Sequence, residues 1–214
     1  MKRLLMVLSI LTLLAAIALP VQAKSHEKAG TPHLTQSSVD LRMAMRQLWE
    51  EHVMYTRNYI ISAVAGLEDA GAVAERLLRN QDDIGNAIKP LYGEEAGKKL
   101  SALLRDHILI AADIVKAAKA GDNDGVAAGQ KRWTANADEI AAFLSGANPK
   151  WSQQTLKDML YKHLALTTTE VVSRLKKDWA ADIEAYDKGH VHMLMFADVL
   201  TDGIVKQFPK KFSK

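Results

Sequence analysis

The stretch LWEEHVMYTRNYI, residues 48–60, decides the fold, because it places Leu48, His52, Thr56 and Ile60 at intervals of four residues. That spacing puts the four side chains on one face of an α-helix. Leucine and isoleucine favour burial, so the histidine between them is expected to lie on the buried side of the helix. A helix that carries an interior histidine is therefore the first element that the sequence predicts.

The same spacing recurs twice further along the chain, with 55 and 56 residues between successive histidines. A period of this length is typical of stacked helical hairpins, none of which buries its apolar face alone. The later copies read Leu103, His107, Ala111, Val115, and Met159, His163, Thr167, Val171. We therefore predict an all-α fold, a six-helix bundle built from three pseudo-repeated helical hairpins at 38–90, 93–149 and 151–209.

Acidic and proline residues in the same register place the ends of the helices. Asp69, Asp124 and Asp178 each follow a repeated histidine by 15 to 17 residues, where the second helix of a hairpin needs an N-cap. Prolines 90, 149 and 209 are expected to close the hairpins, because proline cannot continue a helix interior. The predicted helices are 38–66, 70–89, 94–119, 124–145, 152–176 and 179–207.

The first 23 residues have the pattern of a cleaved signal peptide. Lys2 and Arg3 precede an apolar run, and the run ends in a small-residue cleavage motif at residues 21–23. We expect residues 24–37 to form a flexible N-terminal segment and residues 38–214 to form a single helical domain. The signal predicts a periplasmic or secreted protein.

Composition narrows the classes of partner. Without Lys2 and Arg3 the net charge falls from +3 to +1, and no clustered basic face favours nucleic acid. The apolar run of the signal is too short for a stable membrane span. A basic C-terminal tail beside Phe208 and Phe212 is open to a protein partner, although a solvated helix end is the simpler interpretation. The chain has no cysteine, which excludes thiol catalysis and thiolate metal sites.

The repeated histidines are the main candidate site. Neutral imidazole is a common ligand of transition metals, and three imidazoles can form a metal site. If the hairpins surround a pseudo-threefold axis, His52, His107 and His163 converge; if the hairpins pack in a row, they do not. The structural interpretation is that each histidine is a core residue hydrogen-bonded to its return helix. Asn80 and Asn136 suit that role, and Phe196 in the third hairpin does not.

Two further groups point to copper. His190, His192, Met193 and Met195 on the last helix combine imidazole with thioether, a soft ligand set that suits copper(I). Cleavage after residue 23 would leave His26 as the third residue, where a terminal amine, amide nitrogens and imidazole suit copper(II) or nickel(II). Core packing of the methionines and coincidence at His26 are the alternatives.

Three runs also carry a resemblance to a known family: LWEEHVMYTRNYI, NQDDIGNAIKPLYG and DGIVKQFP. Over most of residues 45–209 the chain resembles a family of small, exported, helical bacterial proteins known mainly from genome sequences. Some members are labelled glycosyltransferases. The residues here do not support that label, because no strand–helix nucleotide-binding pattern is present.

The sequence therefore predicts an exported helical binding protein whose interior histidines hold a transition metal such as copper, or a small ligand. A helical interaction or sensor-type scaffold with structural histidines and no metal is the alternative, and a metal-dependent enzyme is third. No phosphate loop, nucleophile elbow or zincin motif occurs, so we assign no catalytic residue.

Overall fold

Leucine-, alanine- and lysine-rich runs form six α-helices in the computed structural model, which describes residues 34–213. No strand occurs in that range. Each helix end lies within three residues of its predicted position. The helices are α1 (Gln36–Ala65), α2 (Ala70–Tyr92), α3 (Glu94–Ala120), α4 (Asn123–Ala147), α5 (Gln153–Leu175) and α6 (Trp179–Gln207), and a 3-10 turn, Pro209–Phe212, follows them.

Local capping chemistry explains several of these ends. The side chains of Thr35, Ser152 and Asp178 each accept a hydrogen bond from a backbone N–H in the first turn of their helix. Gly66 and Gly121 end α1 and α3 in the left-handed conformation, with φ of 71° and 72°. A residue without a Cβ adopts that conformation at little cost, so the two turns follow directly from the sequence.

Two boundary predictions were wrong. The N-cap of α4 is Asp122, which accepts from the N–H of Gly125 at 2.9 Å, and Asp124 lies inside the first turn. Pro90 does not end α2, which continues to Tyr92. A proline near the C-terminus of a helix removes only one internal hydrogen bond, so the helix continues through it there. Asp69 holds its predicted position but makes no side-chain capping bond.

The helices form a closed ring. Each helix packs against the next in the chain, and α6 packs back against α1. The α2 and α3 helices pack closely where Gly85 faces Gly97; a Cβ on Gly85 would lie 2.5 Å from the Gly97 carbonyl oxygen. The predicted hairpins correspond to α1–α2, α3–α4 and α5–α6, but the contact between α2 and α3, which belong to different hairpins, is more extensive than any contact within a hairpin. The three-hairpin repeat therefore stays a prediction.

Two hydrophobic clusters fill the ring. The main cluster includes Trp49 and Phe196, whose rings meet edge to face with centroids 5.0 Å apart. The second cluster is much smaller and consists of Ile60, Val115 and Val171. Between the two clusters lie the repeated histidines and the residues one turn beyond them. Among the six helices described, none is long and apolar enough to cross a membrane.

Candidate ligand site at the three interior histidines

The three repeated histidines meet at the centre of the bundle. The His163 ring lies 5.6 Å from that of His52 and 5.9 Å from that of His107, measured between ring centroids. Their exposed fractions are 2%, 3% and 5% for His52, His107 and His163. Each histidine lies on the first helix of a different hairpin, and α1 contacts both α3 and α5. The ring arrangement, rather than the row, is therefore the one that the chain adopts.

His107 is held in a single tautomer by the amide of Asn136. The Asn136 Nδ2 donates to the Leu103 carbonyl at 3.0 Å, which leaves Asn136 Oδ1 as an acceptor. That oxygen lies 2.7 Å from His107 Nδ1, so Nδ1 carries the proton and donates a hydrogen bond to it. The lone pair of the ring is consequently on Nε2. This is the contact that the sequence predicted for Asn136.

His52 is held less completely, and by a different residue from the one predicted. Asn80 donates to the Leu48 carbonyl at 3.0 Å and does not bond to the histidine. Gln81 lies beside it instead, with its Nε2 3.3 Å from His52 Nδ1. That Nε2 makes shorter bonds to the Leu77 carbonyl, at 2.8 Å, and to Asn80 Oδ1, at 3.1 Å. An amide has only two N–H groups, so the contact with His52 is the weakest of the three.

The interior also holds an acceptor without a donor. Gln81 Oε1 is fully buried and has no hydrogen-bond partner among residues 34–213. The Gln81 amide cannot be turned over, because its Nε2 already serves two carbonyl oxygens. Buried acceptors of this kind cost roughly 1–3 kcal/mol. A hydrogen-bond donor or a cation at this place would remove that cost.

His163 differs from the other two. Within the described part of the chain its ring contacts the other two imidazoles, and no side-chain hydrogen bond reaches it. A small space of about 10 Å³ adjoins it, shared with Thr56, Glu170 and Tyr186. That space is close to the minimum for one water molecule. His163 is therefore the interior histidine with neither ring nitrogen hydrogen-bonded within the described residues, whereas His52 and His107 each use Nδ1.

All three rings are uncharged near neutral pH. Burial lowers the pKa of His52 from 6.5 to about 3, and nearby His107 adds to the effect. Burial also lowers the pKa of His107, to about 4, against the bond with Asn136 that raises it. The pKa of His163 lies well below its usual value for the same reason, with further lowering by the two other rings. Neutral imidazole is the form that binds a metal ion.

A common bond joins the two helices of each hairpin. The carbonyl four residues before the repeated histidine accepts a hydrogen bond from Asn80 in α2, and its counterpart accepts one from Asn136 in α4. In the third hairpin His192 Nε2 donates to the equivalent carbonyl, that of Met159, at 2.8 Å. The internal repeat predicts Phe196 at this position, but the residue that makes the bond is His192, one helical turn earlier. These equivalent bonds support the predicted repeat.

The His/Met group of α6 does not converge. Met193 is a core residue with 1% of its surface exposed, and Met195 is 55% exposed. His192 is occupied by the Met159 carbonyl, and His190 lies near the surface, 3.3 Å from Glu50 and stacked on Tyr186. The four side chains thus lie in separate environments, and the copper(I) site predicted for this helix stays a prediction. His26 and the predicted signal peptide lie outside the described residues.

Metal coordination by the interior histidines is not preformed. Across residues 34–213 there is no group of three or more His, Cys, Asp or Glu side chains that could hold a metal ion. The His107 and His163 rings are stacked, with 21° between their planes, rather than pointed at a common centre. Metal binding would require at least one ring to turn.

Sequence analysis missed a buried ionic cluster beside His163. Arg57 in α1 donates to Glu170 at 2.8 Å and to Asp182 at 3.0 Å, and Arg174 donates to Asp182 at 2.9 Å. Burial raises the pKa of Glu170 to about 7, although Arg57 lowers it. Charged residues 113 and 125 positions apart gave no signal in the sequence, because neither helix periodicity nor the repeat links them. The cluster ties the third hairpin to α1.

The fold and this site define an all-α six-helix bundle with a polar cluster at its centre. No protein-family model, curated protein or solved structure matches the chain. The resemblance to a family of exported helical bacterial proteins therefore stays a prediction.

Proposed function

We propose that this chain is an exported helical binding protein that holds a small ligand at the three interior histidines. The observation that carries the proposal is the convergence of three neutral imidazoles from three different hairpins, with ring centroids 5.6 and 5.9 Å apart. Such a cluster is costly to bury unless its nitrogens are used. A bound ligand would use the ring nitrogens that make no hydrogen bond to Asn136 or Gln81.

The free lone pairs of the cluster itself suit a ligand of atomic size that donates hydrogen bonds or carries positive charge, while the unpartnered indole N–H groups of Trp49 and Trp133, whose rings contact His52 and His107, would suit an acceptor. His107 offers the Nε2 lone pair, His163 has free capacity, and Gln81 Oε1 is an acceptor without a partner. The space beside His163 is about 10 Å³, too small for an organic molecule. A transition-metal ion such as copper is the finer form of the proposal, and it requires the imidazole rings to reorient. Export to the periplasm is part of the same proposal.

The test is a titration with copper(I), copper(II) and zinc(II), each alone. A chain that begins at residue 34 removes His26 and any site at the mature N-terminus. We expect this shortened chain to bind one metal ion and to gain thermal stability, because the ion binds only the folded state. His163→Ala should lose the ion, and His190→Ala should keep it, since His190 lies outside the cluster.

The alternative is a helical interaction or sensor-type scaffold in which the histidines are structural. The 2.7 Å bond from His107 to Asn136 favours it, as does the lack of a preformed metal group in the described helices. Native mass spectrometry of protein purified from its own compartment separates the two. A bound ion or small mass lost in His163→Ala supports the binding protein. A bare chain that also binds none of the three added ions overturns it.

A further inference from the structure

A second interior feature lies one helical turn beyond the histidines. Thr56, Ala111 and Thr167 each follow a repeated histidine by four residues, and all three line a cavity of about 70 Å³. The small hydrophobic cluster lines the cavity as well, and its residues follow the same histidines by eight positions: Ile60, Val115 and Val171. The repeated pattern therefore builds three successive layers: histidines, small side chains, and β-branched residues. The cavity occupies the middle layer.

The cavity exists because its layer carries the smallest side chains of the pattern. Alanine and threonine cannot fill the space that the histidines above and Ile60, Val115 and Val171 below fill in their own layers. A cavity of this kind forfeits dispersion contacts on all of its walls, and an apolar occupant would restore them. It also separates the small hydrophobic cluster from the main core. An occupant would join the two.

The lining determines the chemical class of the occupant. Apolar atoms form nearly all of the cavity surface, and Tyr59 is its one titratable side chain among the described residues. Burial raises the pKa of Tyr59 above its usual value, so the phenol is neutral. A charged molecule would find no opposite charge there and would lose its hydration, although Thr56 Oγ1 and the Trp133 indole N–H are buried polar groups without a partner in the described chain. A neutral hydrocarbon group meets neither cost.

Size and access restrict the occupant further. A dry cavity of roughly 150 Å³ accepts benzene or xenon, so one of about half that volume suits a single xenon atom or a short aliphatic segment. Val172, which is 39% exposed, lines the cavity and places its rim at the protein surface. Gln130 and Thr168, hydrogen-bonded at 3.1 Å, also line it. Their polar groups suit a neutral polar end that stays near the rim.

We propose that this cavity is a second binding site, which takes the aliphatic end of a small neutral molecule. It differs from the histidine site in chemistry, since it offers burial of hydrocarbon instead of lone pairs. The two sites share Thr56 and Thr167 as lining residues. None of the three histidines lines the cavity, and neither does Gln81, so an occupant of the cavity needs no lone pair of the histidine site. The proposal therefore goes beyond the function proposed above.

Methyl NMR under xenon pressure and with 1-hexanol tests the proposal, with hexanoate as the charged molecule of equal chain length. We expect saturable shifts at the methyls of Ala111, Val115 and Val171 with xenon and with hexanol. Hexanoate should bind at least about fivefold more weakly, because its carboxylate is held near an uncharged lining. Ala111→Leu fills the cavity and should abolish the shifts. Ala102→Leu is the matched control, because Ala102 is exposed on the same helix.

Ala118→Val is a second filling variant, in case Ala111→Leu does not fold; it should weaken hexanol binding while leaving the fold intact. Equal shifts in both filling variants and in the control would overturn the site. The absence of saturable shifts with both xenon and hexanol would overturn it as well. Binding of xenon without hexanol would reduce the feature to a closed packing defect and would overturn the ligand class. None of these outcomes depends on His163, so the metal titration above can fail or succeed separately.

Discussion

In the hairpins α1–α2 and α3–α4, a carboxamide from the return helix reaches the interior histidine, whereas in α5–α6 no described side chain of the return helix makes that contact. Asn136 fixes His107 at 2.7 Å, and Gln81 contacts His52 at 3.3 Å. His192 makes the equivalent bond to the backbone but leaves His163 without a hydrogen bond within residues 34–213. The third hairpin is instead held by the ionic cluster of Arg57, Glu170, Asp182 and Arg174.

This difference shows how one repeated position can take two roles. A histidine whose tautomer is fixed by an amide contributes to the stability of its hairpin. A histidine whose ring makes no hydrogen bond in the described structure contributes less and remains available to a ligand. The four predictions below test this distinction, from the largest expected effect to the smallest.

Removal of the buried carboxylate of the third hairpin should have the largest effect. Asp182→Ala leaves Arg57 and Arg174 without their shared partner in a site where the Asp182 side chain is 1% exposed. Breaking a buried ion pair costs about 3–5 kcal/mol in free energy of unfolding. Asp198→Ala, which removes partly exposed pairs with Arg42 and Arg46, should cost about 0–1 kcal/mol. Urea unfolding measures both, and similar losses would show that the ionic cluster is not what holds the third hairpin.

Acid should destabilise the protein through the histidines. The pKa values of His52 and His107 are lowered to about 3 and about 4, so below pH 6.5 the unfolded chain binds protons that the folded chain does not. Their contribution is complete above pH 6.5 and is lost as the pH falls, by about 2 kcal/mol each at pH 5.

Glu170 acts in the opposite direction, because its pKa of about 7 favours the folded state as the pH falls from 7 toward 4.5. Unfolding of Glu170→Gln at pH 7.5 and pH 5 therefore isolates the histidine effect. The parent should lose less stability than Glu170→Gln over the same interval. Equal stability of Glu170→Gln at the two pH values would contradict the assignment of neutral buried imidazoles.

Truncation of the amide that fixes His107 should have an intermediate effect. Asn136→Ala removes the bond to the Leu103 carbonyl and leaves the His107 Nδ1–H buried without a partner. We expect a loss of about 2–3 kcal/mol, since an unsatisfied buried donor adds to the lost bond. Thermal or urea unfolding measures it. Thr134→Ala, on the exposed face of the same helix, is the control and should cost well under 1 kcal/mol.

Replacement of His163 should have the smallest effect on stability. His163→Leu breaks no side-chain hydrogen bond within the described residues, so we expect a change of less than about 1.5 kcal/mol. His107→Leu should cost more, because it leaves Asn136 Oδ1 buried without a donor. Equal losses for the two variants would mean that the interior histidines are equivalent. That result would remove the reason to regard His163 as the histidine that is available to a ligand.

The sequence by itself determined the helices and the burial of the repeated histidines. Both rest on local information: the spacing of four between Leu48, His52 and Thr56, the glycines that end α1 and α3, and the caps at Ser152 and Asp178. The contact between Asn136 and His107 also followed from the period of the repeat. These features depend on positions close in the chain or related by one fixed interval.

Only the tertiary structure decided what the rest of the site is. The convergence of His52, His107 and His163 required the ring to close through the packing of α6 on α1, which no periodicity encodes. The choice of Gln81 over Asn80, and the separation of Met193 from Met195, depended on helix rotations of a fraction of a turn. The cluster of Arg57 with Asp182 joins helices at opposite ends of the chain. Such contacts are set by how whole helices pack, because that packing fixes which side chains of distant helices come within bonding distance.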